Sequence, residues 1–159
     1  MTIAIYPGSF DPITNGHLDI LKSGAEIFDK VIIAVSNNVN KKSFLSVEER
    51  LDLIKKSVSH FSNVEVDSFE GLTVDYAKKK NAQILLRGLR TSFDFEYELQ
   101  LSQTNNSLSA NLKTVFLITK PEYNFISSSM VREVLVNNGD ISKFVPKVVE
   151  EYLIANYGI

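Results

Sequence analysis

The fold is decided by the stretch Thr2-Ile3-Ala4-Ile5-Tyr6-Pro7-Gly8-Ser9-Phe10-Asp11-Pro12-Ile13-Thr14-Asn15-Gly16-His17. Its first part, Thr2–Tyr6, is a short apolar run of the kind that forms a strand. After the turn, apolar residues recur at helical spacing at Leu18, Leu21, Ala25 and Phe28. A strand that turns directly into a helix is the opening unit of a parallel α/β sheet.

The same alternation continues along the chain. Four further apolar runs are separated by helical patterns: Val31–Val35, Val64–Phe69, Ile84–Leu86 and Val115–Ile118. The run Val31–Val35 is apolar at every position, which indicates a strand buried on both faces of the sheet. We therefore predict a single α/β domain over residues 1–159. It is a doubly wound, Rossmann-like domain with a parallel sheet of about five strands flanked by helices.

Helix boundaries can also be predicted. The second helix carries the stripe Val47, Leu51, Ile54 and Val58, and Ser46 and Glu49 ahead of it form a capping box. The third is short and reaches Lys80, where Asn81 suits a left-handed stop. A fourth helical segment includes Phe95, Leu99 and Leu108; two more are expected at about Ser128–Val136 and Pro146–Tyr157, with Pro146 in a first turn.

Composition excludes several classes of protein. The chain has no cysteine, so it holds neither a disulfide nor a thiolate metal site. Its formal net charge of −2 lacks the basic surplus that nucleic-acid and anionic-membrane binders need. No apolar run approaches the ~20 residues of a membrane span, and the N-terminus does not look like a signal peptide. We expect a soluble, cytoplasmic protein.

The turn Gly8–His17 is the first candidate site, because ligands of open α/β sheets bind beyond the carboxyl ends of the strands. Ser9 offers a hydroxyl there, and Thr14 or Asn15 can cap the helix. His17 then falls in the first helical turn, where free N–H groups and the helix dipole attract anions. A plain solvated cap with a surface histidine is the alternative.

Three later loops have residues suited to phosphate. Lys41-Lys42 follows the second strand, Arg87-Gly88-Leu89-Arg90 ends the fourth, and Ser127-Ser128-Ser129 precedes a helix. Arginine pairs bind phosphate oxygens in bidentate fashion, and a serine-rich helix start can form an anion nest. Each also has an ordinary explanation: solvated lysines, a helix cap, or arginines paired with the acids that follow, Asp94, Glu96 and Glu98.

In combination these motifs resemble the nucleotidyltransferase superfamily that is marked by a (His/Thr)-x-Gly-His turn. The similarity rests on Gly8–His17, Arg87–Arg90, Asp94–Glu98 and Phe125–Arg132, in the family's order and spacing. It is closest to the phosphopantetheine adenylyltransferase family and runs from Ile3 to near Val145. Thr14 favours that family, since related nicotinate-mononucleotide adenylyltransferases and glycerol-phosphate cytidylyltransferases typically have histidine there.

The resemblance implies transfer of the adenylyl group of ATP to 4′-phosphopantetheine, giving dephospho-coenzyme A and pyrophosphate in coenzyme A biosynthesis. It also implies Mg²⁺ carried by the ATP phosphates rather than by a protein metal site, feedback binding of coenzyme A, and a homohexamer. Two alternatives stay open: adenylyl or cytidylyl transfer to another small phosphate monoester, and a non-catalytic ATP-binding module.

Residue roles follow from the same resemblance. His17, Lys41, Arg90 and Ser9 match catalytic positions, and Ser9, Lys41, Thr73 and Arg87 match positions that bind the phosphopantetheine substrate. The matches to ATP-binding positions are Ser9, Phe10, His17, Gly88, Leu89, Arg90, Glu98, Tyr123, Asn124, Phe125, Ile126, Ser127, Ser128 and Ser129.

The chain departs from the family's usual pattern at Thr91-Ser92-Phe93, where many relatives have small residues. It departs again at Thr104-Asn105-Asn106, where relatives often read Met-Asn-Lys or Met-Asn-Arg. Both stretches bear on the pantetheine arm and on feedback by coenzyme A.

Overall fold

Five parallel strands form one sheet in the computed structural model, which describes residues 1–158. They are β1 (Ile3–Gly8), β2 (Lys30–Ser36), β3 (Val64–Phe69), β4 (Ile84–Leu89) and β5 (Lys113–Ile118). Every pairing is parallel, and the order across the sheet is β3-β2-β1-β4-β5. All five predicted runs are confirmed, and β4 extends further than predicted, through Leu89.

Within residues 1–158, six α-helices flank the sheet: α1 (Asn15–Ile27), α2 (Val47–Val58), α3 (Thr73–Lys79), α4 (Ser92–Leu108), α5 (Ser128–Val136) and α6 (Lys147–Tyr157). A 3₁₀ turn, Pro121–Tyr123, precedes α5. The predicted helices are confirmed, but Pro146 lies at the N-cap of α6 rather than inside its first turn. Within residues 1–158, no helix combines the length and apolar character needed to cross a membrane.

Local capping behaves as the sequence predicts. In α2 the Glu49 N–H donates to the Ser46 hydroxyl (3.1 Å), and the Ser46 N–H donates back to the Glu49 carboxylate (2.7 Å). Asn81 adopts a left-handed φ of 55° just after α3. The two hydrogen bonds between Ser46 and Glu49 satisfy N–H groups that the start of α2 would otherwise leave unpaired.

The core has two layers, one on each side of the sheet. Alternate residues of β2 go to opposite layers: Val31, Ile33 and Val35 to one, Ile32 and Ala34 to the other. None of these five side chains is more than 1% exposed. The fully apolar run therefore belongs to a strand covered on both faces, as predicted.

The order of the strands determines where the site lies in the fold. The chain builds outward from β1 to β2 and β3, then crosses back to place β4 on the other side of β1. The loops after β1 and β4 consequently diverge, and a crevice opens between them at the carboxyl end of the sheet. The turn Gly8–His17 and the segment Arg87–Arg90 meet there, although 69 residues separate them along the chain.

Candidate active site

The helix start after β1 is a capping box with histidine in the place usually held by glutamate or glutamine. Thr14 is the N-cap of α1, and its hydroxyl accepts from the His17 N–H at 3.3 Å. In return the Thr14 N–H donates to Nδ1 of His17 at 3.0 Å. The spacing Thr-x-Gly-His is thus a local structural unit that holds the imidazole at the helix N-terminus.

This contact fixes the tautomer of His17. Because Nδ1 accepts a hydrogen bond from a backbone N–H, it carries no proton, and the proton of the neutral ring lies on Nε2. Burial lowers the pKa of His17 to about 4, and the positive charges of Arg90 and Arg87 contribute. At neutral pH the ring therefore offers an Nε2–H donor without a full charge.

Phe10 shapes the turn that leads to this helix. It adopts a left-handed φ of 46°, which is uncommon for a residue with a bulky side chain, and it is 2% exposed. Its ring packs edge-to-face on His17 (centroids 5.0 Å apart) and on Tyr6 (5.3 Å). The unusual backbone thus packs Phe10 against the imidazole rather than leaving the ring in solvent.

Arg87 in β4 and Arg90, which directly follows the strand, are both ion-paired. Arg87 donates from Nε to Glu98 (2.8 Å) and forms a second bond to the same carboxylate through Nη2. Arg90 donates from Nε to Asp94 (3.0 Å) and from Nη1 to the Ile126 carbonyl (2.9 Å). The structural ion pairs considered from the sequence are present, and Asp94 and Glu98 are the partners rather than Glu96.

These ion pairs leave N–H groups of both arginines free to bind a ligand. A guanidinium has five N–H groups, and each arginine uses three of them, since Arg87 also donates to the Pro7 carbonyl at 2.7 Å and Arg90 also donates from Nη2 to Asp94 at 3.3 Å. Two N–H groups per arginine therefore remain for phosphate oxygens. The carboxylates hold both guanidinium planes in place, which pre-orients these remaining donors.

A cavity of about 250 Å³ brings many of these residues together. Its walls include the turn after β1, the end of β4 and the serine-rich start of α5. The predicted residues in it are Ser9, Phe10, His17, Arg87, Gly88, Arg90, Glu98, Ile126, Ser127 and Ser128. Hydroxyls, arginines, the imidazole donor and two helix N-termini suit it to a polyphosphate.

A second cavity, of about 400 Å³, adjoins the first. Pro7, Gly8, Ser9, Arg87 and Glu98 line both cavities. The second one also contains two predicted substrate residues, Lys41 and Thr73, together with Tyr97, Leu101, Ser102 and Asn105 of α4. The site is thus a pair of compartments that share a wall, which is what a reaction between two bound substrates requires.

Lys41 also lines a third cavity, together with Ser9, Lys42, Ser128, Ser129 and Arg132. Lys42 lines this third cavity and not the second one. Of the two lysines, Lys41 is therefore the one that lines the second cavity.

The remaining predicted residues lie outside these three cavities. They are Leu89, Tyr123, Asn124 and Phe125. Tyr123 is next to the crevice, because a Cβ added at Gly16 would lie 3.8 Å from it. Phe125 is 64% exposed and packs on Phe144.

Sequence reasoning missed several residues of the site. Tyr6 in β1 looks like an ordinary core residue, yet it lines the first cavity. Asp94 was considered only as an ion-pair partner and lines the same cavity. No sequence pattern pointed to Arg50 of α2 as a site residue. It is 2% exposed and donates to the Ser9 carbonyl at 2.8 Å, so it holds the shared wall in place.

The carboxylates of the first cavity are poorly suited to hold a metal ion. Asp94 and Glu98 are both engaged by arginine. Across residues 1–158, no group of three or more His, Cys, Asp or Glu side chains is placed to bind a metal. A protein-held divalent cation, which needs several oxygen ligands, does not fit this site.

Comparison with known proteins bears on the chemistry. The cytidylyltransferase-like family model matches residues 5–134. A phosphopantetheine adenylyltransferase from Gloeothece citriformis is 55% identical over 98% of this chain and 99% of its own length. One from Carboxydothermus hydrogenoformans is 53% identical over 94% of this chain and 93% of its own.

A solved structure supports the fold. The chain superposes on a putative nicotinate-nucleotide adenylyltransferase from Vibrio parahaemolyticus with a TM-score of 0.75, covering 98% of this chain and 93% of that one. Sequence identity is 21%, so this likeness concerns the arrangement of strands and helices.

Proposed function

This chain belongs to the cytidylyltransferase-like family and, within it, to the phosphopantetheine adenylyltransferases, and we propose that it transfers the adenylyl group of ATP to 4′-phosphopantetheine. The products are dephospho-coenzyme A and pyrophosphate, a step of coenzyme A biosynthesis. The observation that carries the proposal is the shared wall of Gly8, Ser9 and Arg87 between two adjoining cavities.

Each substrate has a compartment in this proposal. The nucleotide occupies the first cavity, where His17, Arg90 and the serines at the start of α5 meet its phosphates. The pantetheine arm occupies the second cavity against α4, with Thr73 at its side and Lys41 at the phosphate end. The reacting phosphates then meet at Ser9 and Arg87.

The reaction is an in-line displacement. A phosphate oxygen of 4′-phosphopantetheine forms a bond to the α-phosphorus of ATP while the bond from that phosphorus to the bridging oxygen breaks, and pyrophosphate leaves. A phosphate monoester with a second pKa of ~6 is largely ionised at neutral pH, so no base is needed. The protein supplies position and hydrogen-bond donors.

His17 contributes as a donor in this scheme. Its Nε2–H stabilises charge on the reacting phosphates, while Nδ1 is held by Thr14. Because the pKa of His17 is lowered to about 4, the ring neither gives up nor takes up a proton in the working range of pH. We assign it to charge stabilisation rather than to acid–base catalysis.

Mg²⁺ enters the proposal as the counter-ion of ATP. Phosphate oxygens are ligands that this cation prefers, and the acids of the cavity are already paired. No step is assigned to it. We place the reaction in the cytoplasm, which holds the ATP pool on which it would draw.

We propose a homohexamer by analogy with the family. Large apolar side chains on and beside α4 support an assembly: Phe93 is 83% exposed, Tyr97 63% and Ile118 83%. Light scattering coupled to gel filtration measures the mass directly. Feedback by coenzyme A would follow from its pantetheine arm competing for the second cavity, and coenzyme A should then raise KM for 4′-phosphopantetheine.

The deciding assay is pyrophosphate release from ATP with and without 4′-phosphopantetheine, with dephospho-coenzyme A identified by mass spectrometry. CTP in place of ATP, and nicotinate mononucleotide or glycerol 3-phosphate in place of the acceptor, serve as controls. Release that does not depend on 4′-phosphopantetheine, or faster turnover with a control substrate, would overturn the proposal.

A further inference from the structure

Tyr6 lies in the site, but the proposed reaction assigns it no role. It lies on β1, it is 5% exposed, and it lines the first cavity. Its ring makes edge contacts with Phe10 (centroids 5.3 Å apart, 87°) and with His17 (6.4 Å, 64°). The residue is therefore held rigidly beside the imidazole.

The Tyr6 hydroxyl has no hydrogen-bond partner among residues 1–158. Tyr76, which is buried to a similar degree (7% exposed), donates its hydroxyl to Asp67 at 2.8 Å. Tyr152 and Tyr157 both donate to Glu49, at 2.7 and 2.6 Å. Of the two buried tyrosines in residues 1–158, Tyr76 is thus paired and Tyr6 is not, although buried hydroxyls usually have a partner.

The free hydroxyl opens on the cavity. In the described part of the chain, the one side-chain oxygen or nitrogen that is both fully enclosed and unpaired is Oδ1 of Asn124. The oxygen of Tyr6 is unpaired but not fully enclosed, and Tyr6 lines the first cavity. A ligand in that cavity can therefore reach it.

The groups around it indicate the class of ligand. Arg87, Arg90 and His17 line the same cavity, and each presents N–H donors. Burial raises the pKa of the Tyr6 phenol, so it stays a neutral O–H donor. A set of donors converging on one space is suited to the oxygens of a phosphate chain.

We propose that the Tyr6 hydroxyl is a nucleotide-binding group that donates a hydrogen bond to a phosphate oxygen of the nucleotide in the first cavity. This inference rests on the proposed function for the identity of the nucleotide. It goes further in assigning a phosphate contact to a residue of the central strand.

The variant Tyr6→Phe tests it, because it removes one oxygen and keeps the ring contacts. We expect Kd for ATP, measured by calorimetry without acceptor, to rise about tenfold, the scale of one hydrogen bond to a charged group. Kd for adenosine should stay unchanged. Tm of the ligand-free variant should equal or exceed that of the parent, since an unpaired buried hydroxyl has been removed.

Tyr76→Phe is the matched control. It also removes one hydroxyl from a buried tyrosine, but that hydroxyl is bonded to Asp67 and lies away from the first cavity. We expect the opposite pattern, with a lower Tm and an unchanged Kd for ATP.

The inference is overturned by a Kd for ATP within twofold of the parent in Tyr6→Phe. A lower Tm of that variant, or an equal loss of adenosine binding, overturns it too. Its failure is separable from that of the proposed function, because calorimetry needs no acceptor. If ATP binds through Tyr6 but pyrophosphate release does not depend on 4′-phosphopantetheine, the proposed reaction fails and this contact stands.

Discussion

At the scale of single residues, the Thr-x-Gly-His turn serves two purposes through different atoms of one imidazole ring. Thr14 and His17 satisfy each other's backbone N–H groups at the start of α1. That pairing uses Nδ1 and leaves Nε2–H for the cavity. A glutamine at position 17 could cap the helix equally well but would present no ring donor, so capping and chemistry can be separated by mutation.

Replacing His17 tests this separation. We expect His17→Ala to lower kcat by ~10²–10³, the effect of losing one preorganised stabilising group. It should also cost about 1 kcal/mol of stability, because the Thr14 N–H loses its acceptor. Stopped-flow or steady-state kinetics and urea denaturation measure the two effects.

His17→Gln is the control. It should lose activity to a similar extent while keeping most of the stability, since glutamine can accept from the Thr14 N–H. An unchanged kcat in either variant would show that His17 is only a cap.

The lowered pKa of His17 predicts a dependence of stability on pH. In the unfolded chain the ring takes up a proton near pH 6.5, whereas in the folded chain it does so near pH 4. The unfolded state therefore binds more protons in this window, and stability falls as pH drops from about 6.5 to 4.

Denaturation by urea at intervals between pH 7 and 4 measures this loss. His17→Gln lacks the titrating ring and should show a shallower fall over the same window. Identical slopes for parent and variant would contradict the assignment of a buried, neutral imidazole.

We expect Lys41 to contribute to the binding of 4′-phosphopantetheine and not of ATP. Lys41→Ala should raise KM for 4′-phosphopantetheine about tenfold and leave KM for ATP little changed, because Lys41 lines the second cavity and not the first. Lys42→Ala is the matched control and should have the smaller effect. Equal losses for both substrates would count against this placement.

At the scale of elements, α2 connects the site to the C-terminal helix through adjacent residues. Glu49 caps α2 and accepts from Tyr152 and Tyr157 of α6, which lowers its pKa to about 2. Arg50 points the other way and donates to the carbonyls of Ser9 (2.8 Å) and Ser46 (3.3 Å). The helix thus anchors both the shared wall of the cavities and the end of the chain.

Arg50 has no carboxylate within ion-pairing distance in the region from residue 1 to 158. Arg50 must therefore contribute to stability through the hydrogen bonds that it donates to the carbonyls of Ser9 and Ser46. We expect Arg50→Met to destabilise the protein by about 1–3 kcal/mol, since these carbonyls lose their donor, and to lower kcat as Ser9 shifts.

Arg50→Lys keeps the charge but not the planar set of donors, so it should recover only part of both losses. Chemical denaturation and kcat at saturating substrates are the measurements. Full stability in Arg50→Met would show that Ser9 is held by the backbone alone.

At the scale of the whole molecule, the switch in strand order between β1 and β4 creates the crevice, and α4 forms the far wall of its second compartment. The same helix leaves Phe93 and Tyr97 exposed, and Ile118 of the edge strand β5 is exposed too. One helix therefore lines the second compartment, where we propose that the pantetheine arm binds, and also carries exposed apolar side chains of the proposed assembly.

Disrupting that surface should change the mass of the particle. We expect the double variant Phe93→Ser, Ile118→Ser to lower the mass seen by light scattering and to impair the second compartment. Ile154→Ser is the control, since Ile154 is 53% exposed on α6, away from α4. An unchanged mass in the double variant would place the interface elsewhere.

The sequence by itself determined most features that depend on neighbours along the chain, with the position of Pro146 and the end of β4 as exceptions. The apolar runs predicted all five strands, Ser46 and Glu49 predicted a cap, and Asn81 predicted a helix stop, because side-chain periodicity and backbone capping act over a few residues. The motif residues were recognised in the same way, by order and spacing.

Only the tertiary structure decided which distant groups meet. It paired Arg87 with Glu98 rather than Glu96, placed Arg50 under Ser9, and left the hydroxyl of Tyr6 facing a cavity instead of a partner. Such contacts depend on strand order and on how a helix packs across the sheet, and no local pattern encodes them. A tyrosine inside a strand has the same sequence signature whether its oxygen meets a carboxylate or the open space of a binding site.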